Sequence, residues 1–357
     1  MLLLPIKHYV HYYLLYLIYR LKLLLHGNNM KIIITGVAGF IGSNLADFLC
    51  KQDHNVFGVD NFLCGYQERI DRLSFFPNFT FYKGSAQDDM VSTWMDEQTI
   101  VIHLAGLSAL PANQENPYLS YQNNVAVTAG LLEHCRVKGV AHFLFASTSA
   151  VYENTKEFPT KESHPISPNL LYSMGKYHAE DLIRSYHSIY KLPYTIFRFF
   201  NVYGAFQDAN RTHPPLIPYV LSCFQQNKIP VLHSNGEQRR DYIHVSDVLN
   251  FIHLVIHNKP TNDVYNVSTG TTVSVKEIVS IIQDQCNTTI EPIYRDPSLL
   301  WEKSYMLYSG VYLFPEERMK DEVCKYSCGD SSKACDVFTW KASISLFQGI
   351  QSILEKT

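Results

Sequence analysis

Short apolar runs alternate with longer amphipathic segments along most of this chain of 357 residues. Six of the runs, each five or six residues long, are typical of the buried strands of a parallel sheet. They are Lys31–Thr35, Asn55–Val59, Phe79–Lys83, Thr99–Leu104, His142–Ala146 and Tyr194–Phe199. Two long helical patterns lie between them, over Tyr118–Cys135 and Leu171–Tyr190. Because strands and helices alternate at this spacing, we predict right-handed crossovers and an α/β fold with a doubly wound parallel sheet.

The alternation ends near Asn201. A Pro-rich segment and a helical stretch follow, and then Asp241–Val245 has the pattern of a strand that returns to the sheet, with a helix predicted over Asp247–His257. We therefore expect a first lobe formed by residues 30–198 together with about 238–260. A smaller mixed α/β C-terminal lobe would comprise residues 199–237 and 261–357.

Residues 1–29 differ from the rest of the chain. They are rich in Leu and Tyr, and their uncharged run, His8–Tyr19, is too short to cross a bilayer and is not followed by a cleavage site of small residues. Met30 begins the first predicted strand directly. We therefore expect residues 1–29 to be an extension outside the fold, and we expect no membrane partner.

Composition narrows the class of protein. The chain is 46% hydrophobic with a formal net charge of -3, so it can bury a large core, and it has no basic stripe that would favour nucleic acid. Its eight cysteines are scattered, which indicates a reducing compartment, the cytoplasm, rather than a disulfide framework.

A glycine-rich turn follows the first predicted strand. Gly36, Gly39 and Gly42 occur at three-residue spacing, and a helical pattern begins at Phe40 and Ile41. A strand that turns sharply into a helix needs glycine where the backbone approaches a pyrophosphate, and the helix N-terminus favours the phosphates. Eighteen residues after Gly42, the second strand is followed by Asp60, whose carboxylate suits an adenosine ribose and repels a 2′-phosphate. The sequence therefore predicts a site for NAD rather than NADP.

Tyr172 and Lys176 are one helical turn apart on the predicted helix Leu171–Tyr190. A nearby ammonium favours phenolate, so we expect Lys176 to lower the pKa of Tyr172 from about 10 and allow it to act as a general base. With 24 tyrosines in the chain, this spacing occurs about once by chance. Its position directly after a strand that ends near Thr148, whose hydroxyl can share the proton, strengthens the prediction of catalysis.

Several strings resemble the extended short-chain dehydrogenase/reductase family, whose members act on nucleotide sugars. The resemblance runs from Met30 to about Ser268, through TGVAGFIG, VDNF, HLAGLSA, NNVAVT, FASTSAVY, YSMGK, RFFNVYG, RRDYIHVSDV and YNVSTG. Within the family, HLAGL and RRDYIHV are most similar to the UDP-galactose (UDP-glucose) 4-epimerases. The resemblance implies a Rossmann-type sheet that binds NAD, a smaller substrate lobe, and a homodimer formed through the two long helices.

The resemblance also implies roles for individual residues. The catalytic group would be Thr148, Tyr172 and Lys176. The expected cofactor-binding residues are Gly36, Gly39, Phe40, Ile41, Gly42, Asp60, Asn61, Leu104, Ala105, Gly106, Asn124, Tyr172 and Lys176. Asn124 would support the active-site helix. The expected substrate-binding residues are Thr148, Asn201, Arg240 and Arg295, with Arg240 at the diphosphate of a UDP-sugar or another nucleotide-diphosphate sugar.

The positions after Thr148 bear on the reaction. In the family that this chain resembles, dehydratases carry an Asp-Glu pair directly after the catalytic Thr, and decarboxylases carry a Glu two residues after it. This chain has Ser149 and Ala150 at those positions. The resemblance therefore favours a 4-epimerase, in which Tyr172 takes the O4 proton and the sugar passes through a transient 4-keto form. The alternatives are a 4,6-dehydratase or 4-reductase of the same family, and a non-catalytic dinucleotide-binding protein.

Some positions depart from the family pattern. Ser85 replaces the Asp that reads adenine, with Asp88 as a candidate substitute, and Ser108 replaces a lysine near the cofactor. The segment from about 296 to 325 resembles an insertion.

We expect no metal site. Asp241, His244 and Asp247 cross a strand-to-helix transition, and His103 ends a buried strand as a core histidine.

Overall fold

The structure, a computed structural model, describes residues 29–211, 214–297, 320–321 and 323–355. Residues 1–28 of the predicted extension and residues 298–319 and 322 of the predicted insertion lie outside that range.

A parallel sheet forms the centre of the molecule. The strands of the described chain are β1 (Lys31–Thr35), β2 (Asn55–Asp60), β3 (Phe79–Lys83), β4 (Ile100–His103), β5 (His142–Thr148), β6 (Tyr194–Phe199), β7 (Asn201–Tyr203), β8 (Val231–His233), β9 (Arg239–Arg240), β10 (Tyr242–His244), β11 (Asp263–Val267), β12 (Val273–Ser274) and β13 (Ile293–Arg295). Seven of them form one sheet in the order β11-β6-β5-β4-β1-β2-β3, and every neighbouring pair is parallel. The predicted doubly wound sheet is confirmed.

Helices cover both faces of this sheet and build the second lobe. They are α1 (Phe40–Cys50), α2 (Gln67–Leu73), α3 (Asp89–Ser92), α4 (Leu110–Glu115), α5 (Pro117–Tyr121), α6 (Val127–Lys138), α7 (Leu171–Tyr190), α8 (Leu216–Gln225), α9 (Val245–Ile256), α10 (Val275–Cys286), α11 (Ser332–Phe338) and α12 (Leu346–Leu354). A π-helical turn, Gln122–Ala126, joins α5 to α6, so the predicted continuous helix over Tyr118–Cys135 is divided. A 3₁₀ turn, Ser149–Tyr152, follows β5.

Alternation along β1 shows how the core is divided between the two faces. Successive side chains of a strand point to opposite sides. Ile32 and Ile34 therefore pack with Phe251 of α9 on one face, and Ile33 packs with Leu132 of α6 on the other. All five side chains are fully buried, and each such burial stabilises the fold by about 1.5–3 kcal/mol. The second lobe has its own apolar cluster, to which α8, α10 and α12 contribute.

The strand that returns to the main sheet is not the predicted one. We expected Asp241–Val245, but β10 pairs with β7 in a separate two-stranded sheet, and β11 lies beside β6 instead. The buried carboxylate of Asp241 gives a physical reason. It accepts hydrogen bonds from the backbone N–H groups of Thr269 and Gly270, at 2.9 and 3.0 Å, and so holds this segment outside the sheet. The division into lobes at the predicted boundaries stays a prediction.

Among the described helices, none combines the length and the apolar composition that crossing a bilayer requires.

Candidate active site

The carboxyl ends of β1, β4 and β5 open into a cavity of about 620 Å³. A cleft of about 100 Å³ adjoins it at the ends of β2 and β3. Gly36, Leu104 and Gly106 line both spaces. In doubly wound sheets, ligands bind at the carboxyl ends of the strands where the strand order reverses. Here the order reverses at β1, which has β2 on one side and β4 on the other.

The glycine turn between β1 and α1 has no room for side chains at two positions. Gly36 has a φ of +73°, and a Cβ there would lie 2.7 Å from the backbone N of Ala105. A Cβ on Gly42 would lie 2.2 Å from the carbonyl oxygen of Gly36. The predicted cofactor residues of the turn all line the larger cavity; they are Gly36, Gly39, Phe40, Ile41 and Gly42. This cradle fits a dinucleotide pyrophosphate, which the backbone N–H groups and the start of α1 would hold.

Asp60 lies in the smaller cleft at the end of β2, with Asn61 beside it. Its carboxylate accepts hydrogen bonds from the backbone N–H of Ala38 at 2.9 Å and of Phe62 at 2.7 Å. Burial raises the pKa of this carboxyl, while the two hydrogen bonds and Arg69 oppose the rise. Each carboxylate oxygen has a further lone pair, so the site fits the hydroxyls of a ribose.

Ser85, which stands where the family has its adenine-reading Asp, also lines the smaller cleft. The carboxylate of Asp88 accepts hydrogen bonds from the backbone N–H of Ser85 at 2.8 Å and from the Tyr82 hydroxyl at 3.1 Å. Asp88 therefore braces the loop that carries Ser85.

Asn124 braces the loop after β4 from its position in the π-helical turn. Its Oδ1 accepts a hydrogen bond from the backbone N–H of Leu107 at 2.8 Å, and its Nδ2 donates to the carbonyl of Leu107 at 3.1 Å and to Asn113 at 3.0 Å. A Cβ on Gly106 would lie 2.8 Å from Asn124 Oδ1. Asn124 thus shapes the wall formed by Leu104, Ala105 and Gly106, the predicted cofactor residues of this loop.

The structure brings the three predicted catalytic residues into the larger cavity. Thr148 ends β5, and its hydroxyl neighbours the phenol of Tyr172 on α7. Lys176 follows one turn later, where its Nζ donates to the carbonyl of Ala146 at 2.8 Å and lies 4.7 Å from the centre of the Phe145 ring.

The protonation of Tyr172 differs from our prediction. Burial raises the pKa of Tyr172, and the neighbouring Thr148 hydroxyl opposes the rise. Lys176 does not lower that pKa, since its ammonium is directed to the carbonyl of Ala146. Burial also lowers the pKa of Lys176 to about 8, against the opposing influence of Glu180. In the chain by itself, Tyr172 is therefore a neutral phenol at pH 7.

A buried polar network that the sequence did not predict lies behind these residues. Glu180, one turn after Lys176, accepts hydrogen bonds from Arg198 Nε at 3.0 Å and Nη2 at 2.7 Å. The Ser147 hydroxyl donates to Glu180 at 2.5 Å, and Arg198 Nη1 donates to the Tyr152 hydroxyl at 2.7 Å. The network ties β5, β6 and α7 together beside Thr148. The four-residue spacing of Lys176 and Glu180 is its one signal in the sequence.

Three predicted substrate residues, Asn201, Arg240 and Arg295, do not line the cavity within the described ranges. Asn201 Nδ2 donates to the carbonyl of Asp241 at 2.8 Å, and Arg240 Nη2 donates to that of Val323 at 3.3 Å. Arg295 belongs to the exposed strand β13. Their roles toward a substrate stay predictions.

Arg69 and Arg211 line the cavity, and sequence reasoning missed both. Arg69 comes from α2 and donates to the carbonyls of Ala38 at 2.9 Å and Phe206 at 2.6 Å. Arg211 faces Asp208, which opposes the lowering of its pKa by burial. Two guanidinium groups beside the glycine turn suit phosphate oxygens. No motif marks either arginine.

His103 is a core histidine, as predicted. Its Nδ1 lies 2.6 Å from the Thr35 hydroxyl and its Nε2 lies 2.9 Å from that of Thr128, and burial lowers its pKa to about 3. Asp247, one of the three residues considered as a metal triad, instead accepts backbone hydrogen bonds from Ser343 at 3.2 Å and Ile344 at 3.1 Å.

Known proteins resemble this chain over almost its whole length. The family model described as GDP-mannose 4,6 dehydratase matches residues 33–353. The uncharacterized UDP-glucose epimerase YtcB of Bacillus subtilis is 32% identical over 306 residues, which cover 82% of this chain and 95% of that relative. A UDP-glucose 4-epimerase of Thermotoga maritima, solved with UDP-glucose, has a TM-score of 0.79 at 28% identity and covers 91% of this chain and 98% of its own. A UDP-glucuronic acid 4-epimerase of Bacillus cereus, solved with UDP-glucuronic acid and NAD, shares the fold with a TM-score of 0.77 at 23% identity, over 92% of this chain and 100% of its own.

Proposed function

The chain belongs to the GDP-mannose 4,6 dehydratase family of extended short-chain dehydrogenases/reductases, and we propose that it is an NAD-dependent nucleotide-sugar 4-epimerase acting on a UDP-sugar. One observation carries the proposal. Thr148 and Tyr172 share a cavity with the glycine turn, and the residues directly after Thr148 are Ser149 and Ala150, which offer no carboxyl group to eliminate water.

Tyr172 transfers the proton at the sugar O4, and Thr148 positions the same oxygen. NAD, held by the glycine turn and Asp60, would supply the acceptor and donor of the C4 hydride and a positive charge in the cavity. A positive charge is needed there, because burial alone keeps Tyr172 neutral. The Tyr172 hydroxyl would first release its own proton to water; as a phenolate it then takes the O4 proton and returns it once the 4-keto sugar has turned over. Arg69 and Arg211 supply positive charge for the diphosphate of the substrate or cofactor.

A 4,6-dehydratase is the second candidate. The matching family model carries that description, and Glu115 of α4 lines the cavity. A carboxyl group at this wall could act as the acid that removes a C6 hydroxyl as water. The two candidates differ in product, since an epimerase conserves mass and a dehydratase loses one water.

The experiment is incubation of the purified chain with UDP-glucose and UDP-N-acetylglucosamine, followed by NMR of the products. We expect inversion at C4 in the wild type. Tyr172→Phe should lower turnover by about 10²–10⁴-fold, because the general base is lost. It should still bind NAD, since the glycine turn and Asp60 are unchanged.

Tyr177→Phe is the matched control, because this half-buried tyrosine of the same helix packs on an apolar cluster and does not itself line the cavity. It should keep wild-type turnover. Undiminished turnover in Tyr172→Phe would show that the mechanism is wrong. Loss of water in the wild type, abolished in Glu115→Gln, would establish the dehydratase instead.

A further inference from the structure

Three histidines converge at the amino end of the sheet, opposite the cavity. His54 lies between α1 and β2, His253 is on α9, and His257 caps the end of that helix. One ring nitrogen from each lies within 4.8 Å of the nitrogens of the other two. His54 is 3% exposed and His253 is 7% exposed. The catalytic chemistry uses none of them.

The hydrogen bonds of two of these rings leave nitrogens that can face a common point. His257 Nδ1 lies 2.8 Å from the carbonyl of His253, so Nδ1 carries the proton and Nε2 keeps its lone pair. A backbone carbonyl on the remote nitrogen is the usual support of a metal-bound histidine. His54 Nδ1 accepts the backbone N–H of Met30 at 3.3 Å, while its Nε2 is buried and has no hydrogen-bond partner among the described residues.

The surroundings favour neutral imidazoles. Burial, with the neighbouring histidines, lowers the pKa of His54 to about 4 and that of His253 to about 3. Neutral imidazole is the form that binds metals. A buried polar nitrogen without a partner costs free energy, so Nε2 of His54 gains from a ligand. Two histidines four residues apart on a helix present their rings to one point, as in helical zinc sites.

We propose that His54, His253 and His257 form a binding site for a divalent transition-metal ion of the zinc class. Three imidazoles suit zinc, cobalt or nickel and disfavour magnesium and calcium, which prefer oxygen ligands. Water completes the coordination. On binding, the ring proton of His54 moves from Nε2 to Nδ1, at the cost of the long hydrogen bond from Met30. The ion ties α9 to the loop before β2 and so has a structural role, independent of the proposed function.

A metal ion at this site would fix α9 to the segment between α1 and β2. The rings of His253 and His257 contact edge to face with centres 4.3 Å apart, and those of His54 and His257 are tilted with centres 5.5 Å apart. Zinc–nitrogen bonds of about 2.0–2.1 Å require ligand nitrogens about 3.3 Å apart. Rotation of the side chains closes the remaining gap, with no change of the helix.

The test uses the full chain, purified without a histidine tag and treated with a chelator. We expect Zn²⁺ to bind with one equivalent by calorimetry, and Co²⁺ to produce one equivalent of a visible absorption band. At a hundredfold excess of Zn²⁺ over its dissociation constant, the midpoint of thermal unfolding should rise by about 3–5 °C.

His257→Gln, at the partly exposed end of α9, should lower the affinity for Zn²⁺ at least tenfold and remove the thermal shift. His134→Gln is the control, since that histidine lies on α6 and contacts the carbonyl of Gln87. It should retain both responses. Should the wild type fail to bind Zn²⁺ or Co²⁺, or should His257→Gln and His134→Gln respond alike, the proposal is overturned. Epimerase activity does not enter either readout.

Discussion

The two halves of the active site work in different ways. In the nucleotide half, formed by β1, α1 and β2, the site is made by backbone: Gly36 and Gly42 leave space, and the carboxylate of Asp60 accepts backbone N–H groups. In the catalytic half, formed by β5, β6 and α7, side chains make the site, and a buried pair of charges, Glu180 and Arg198, lies behind it. The nucleotide half depends on the absence of side chains at Gly36 and Gly42, whereas the catalytic half depends on the side chains that it contains.

This difference predicts different kinds of damage. A change in the nucleotide half should act on cofactor binding, because it fills space that a pyrophosphate or ribose would use. A change in the buried network should act on the whole fold, because a charge that loses its partner in a water-free interior is costly. The following changes separate the two, and the largest effect is expected in the catalytic half.

Glu180→Gln should destabilise the protein by about 3–5 kcal/mol, because it leaves the Arg198 guanidinium buried without a counter-charge. Urea unfolding followed by circular dichroism measures the change. Arg184→Ala is the matched control: Arg184 also pairs with Glu180, at 2.7 Å, but its side chain is 34% exposed. We expect that variant to lose at most about 1 kcal/mol.

A double variant, Glu180→Leu with Arg198→Met, tests whether the unpaired charge is the cause of this loss of stability. If the cost of Glu180→Gln arises from an unpaired charge, replacing both partners by apolar side chains should recover part of the stability. Equal losses in Glu180→Gln and Arg184→Ala would show that the buried pair is no more important than a surface one, and the comparison between the halves would not hold.

The same substitution in two helices gives the next test. A Cβ on Gly42 of α1 would lie 2.2 Å from the carbonyl of Gly36, so Gly42→Ala should displace the turn, lower NAD affinity at least tenfold and cost about 1–3 kcal/mol. Gly175 of α7 has more room, since its Cβ would meet Asn124 Cβ at 3.4 Å. Gly175→Ala should be neutral, or stabilise α7 by up to about 1 kcal/mol.

Fluorescence titration with NAD and thermal unfolding measure both variants. Normal NAD binding by Gly42→Ala would mean that the turn tolerates a side chain and that its glycines are not required by space. A tenfold loss of NAD affinity in Gly175→Ala as well would point to general sensitivity of glycine positions instead.

The same difference explains how much the sequence could predict. The nucleotide half depends on local spacing, so Gly36, Gly42 and Asp60 were found from a strand, a turn and a second strand. The short apolar runs likewise predicted six strands of the sheet. Tyr172 and Lys176 were found because one helical turn separates them.

Contacts between segments that are distant in the sequence could not be predicted. Arg198 meets Glu180 only after β6 and α7 have packed, and no local pattern marks such a pair. Whether Lys176 faces Tyr172 or the carbonyl of Ala146 also depends on tertiary packing, and the expected pKa of Tyr172 was wrong for that reason. The sheet took β11 in place of the predicted strand because Asp241 bonds to residues that lie far along the chain.

The smallest effect is expected at Asp60, where the nucleotide half uses a charge in place of empty space. Asp60→Asn keeps the size of the side chain but removes the repulsion of a 2′-phosphate, so the preference for NAD over NADP should fall by about fivefold to tenfold, or about 1 kcal/mol. Dissociation constants for both cofactors give the ratio. Asn61→Asp is the opposing control, because its side-chain oxygen can still accept the backbone N–H of Leu63, as Asn61 does at 3.0 Å, while it adds a charge to the same cleft. It should raise the preference for NAD. If neither variant changes the ratio, the carboxylate of Asp60 serves only the backbone of the turn, and selectivity in this half depends on shape alone.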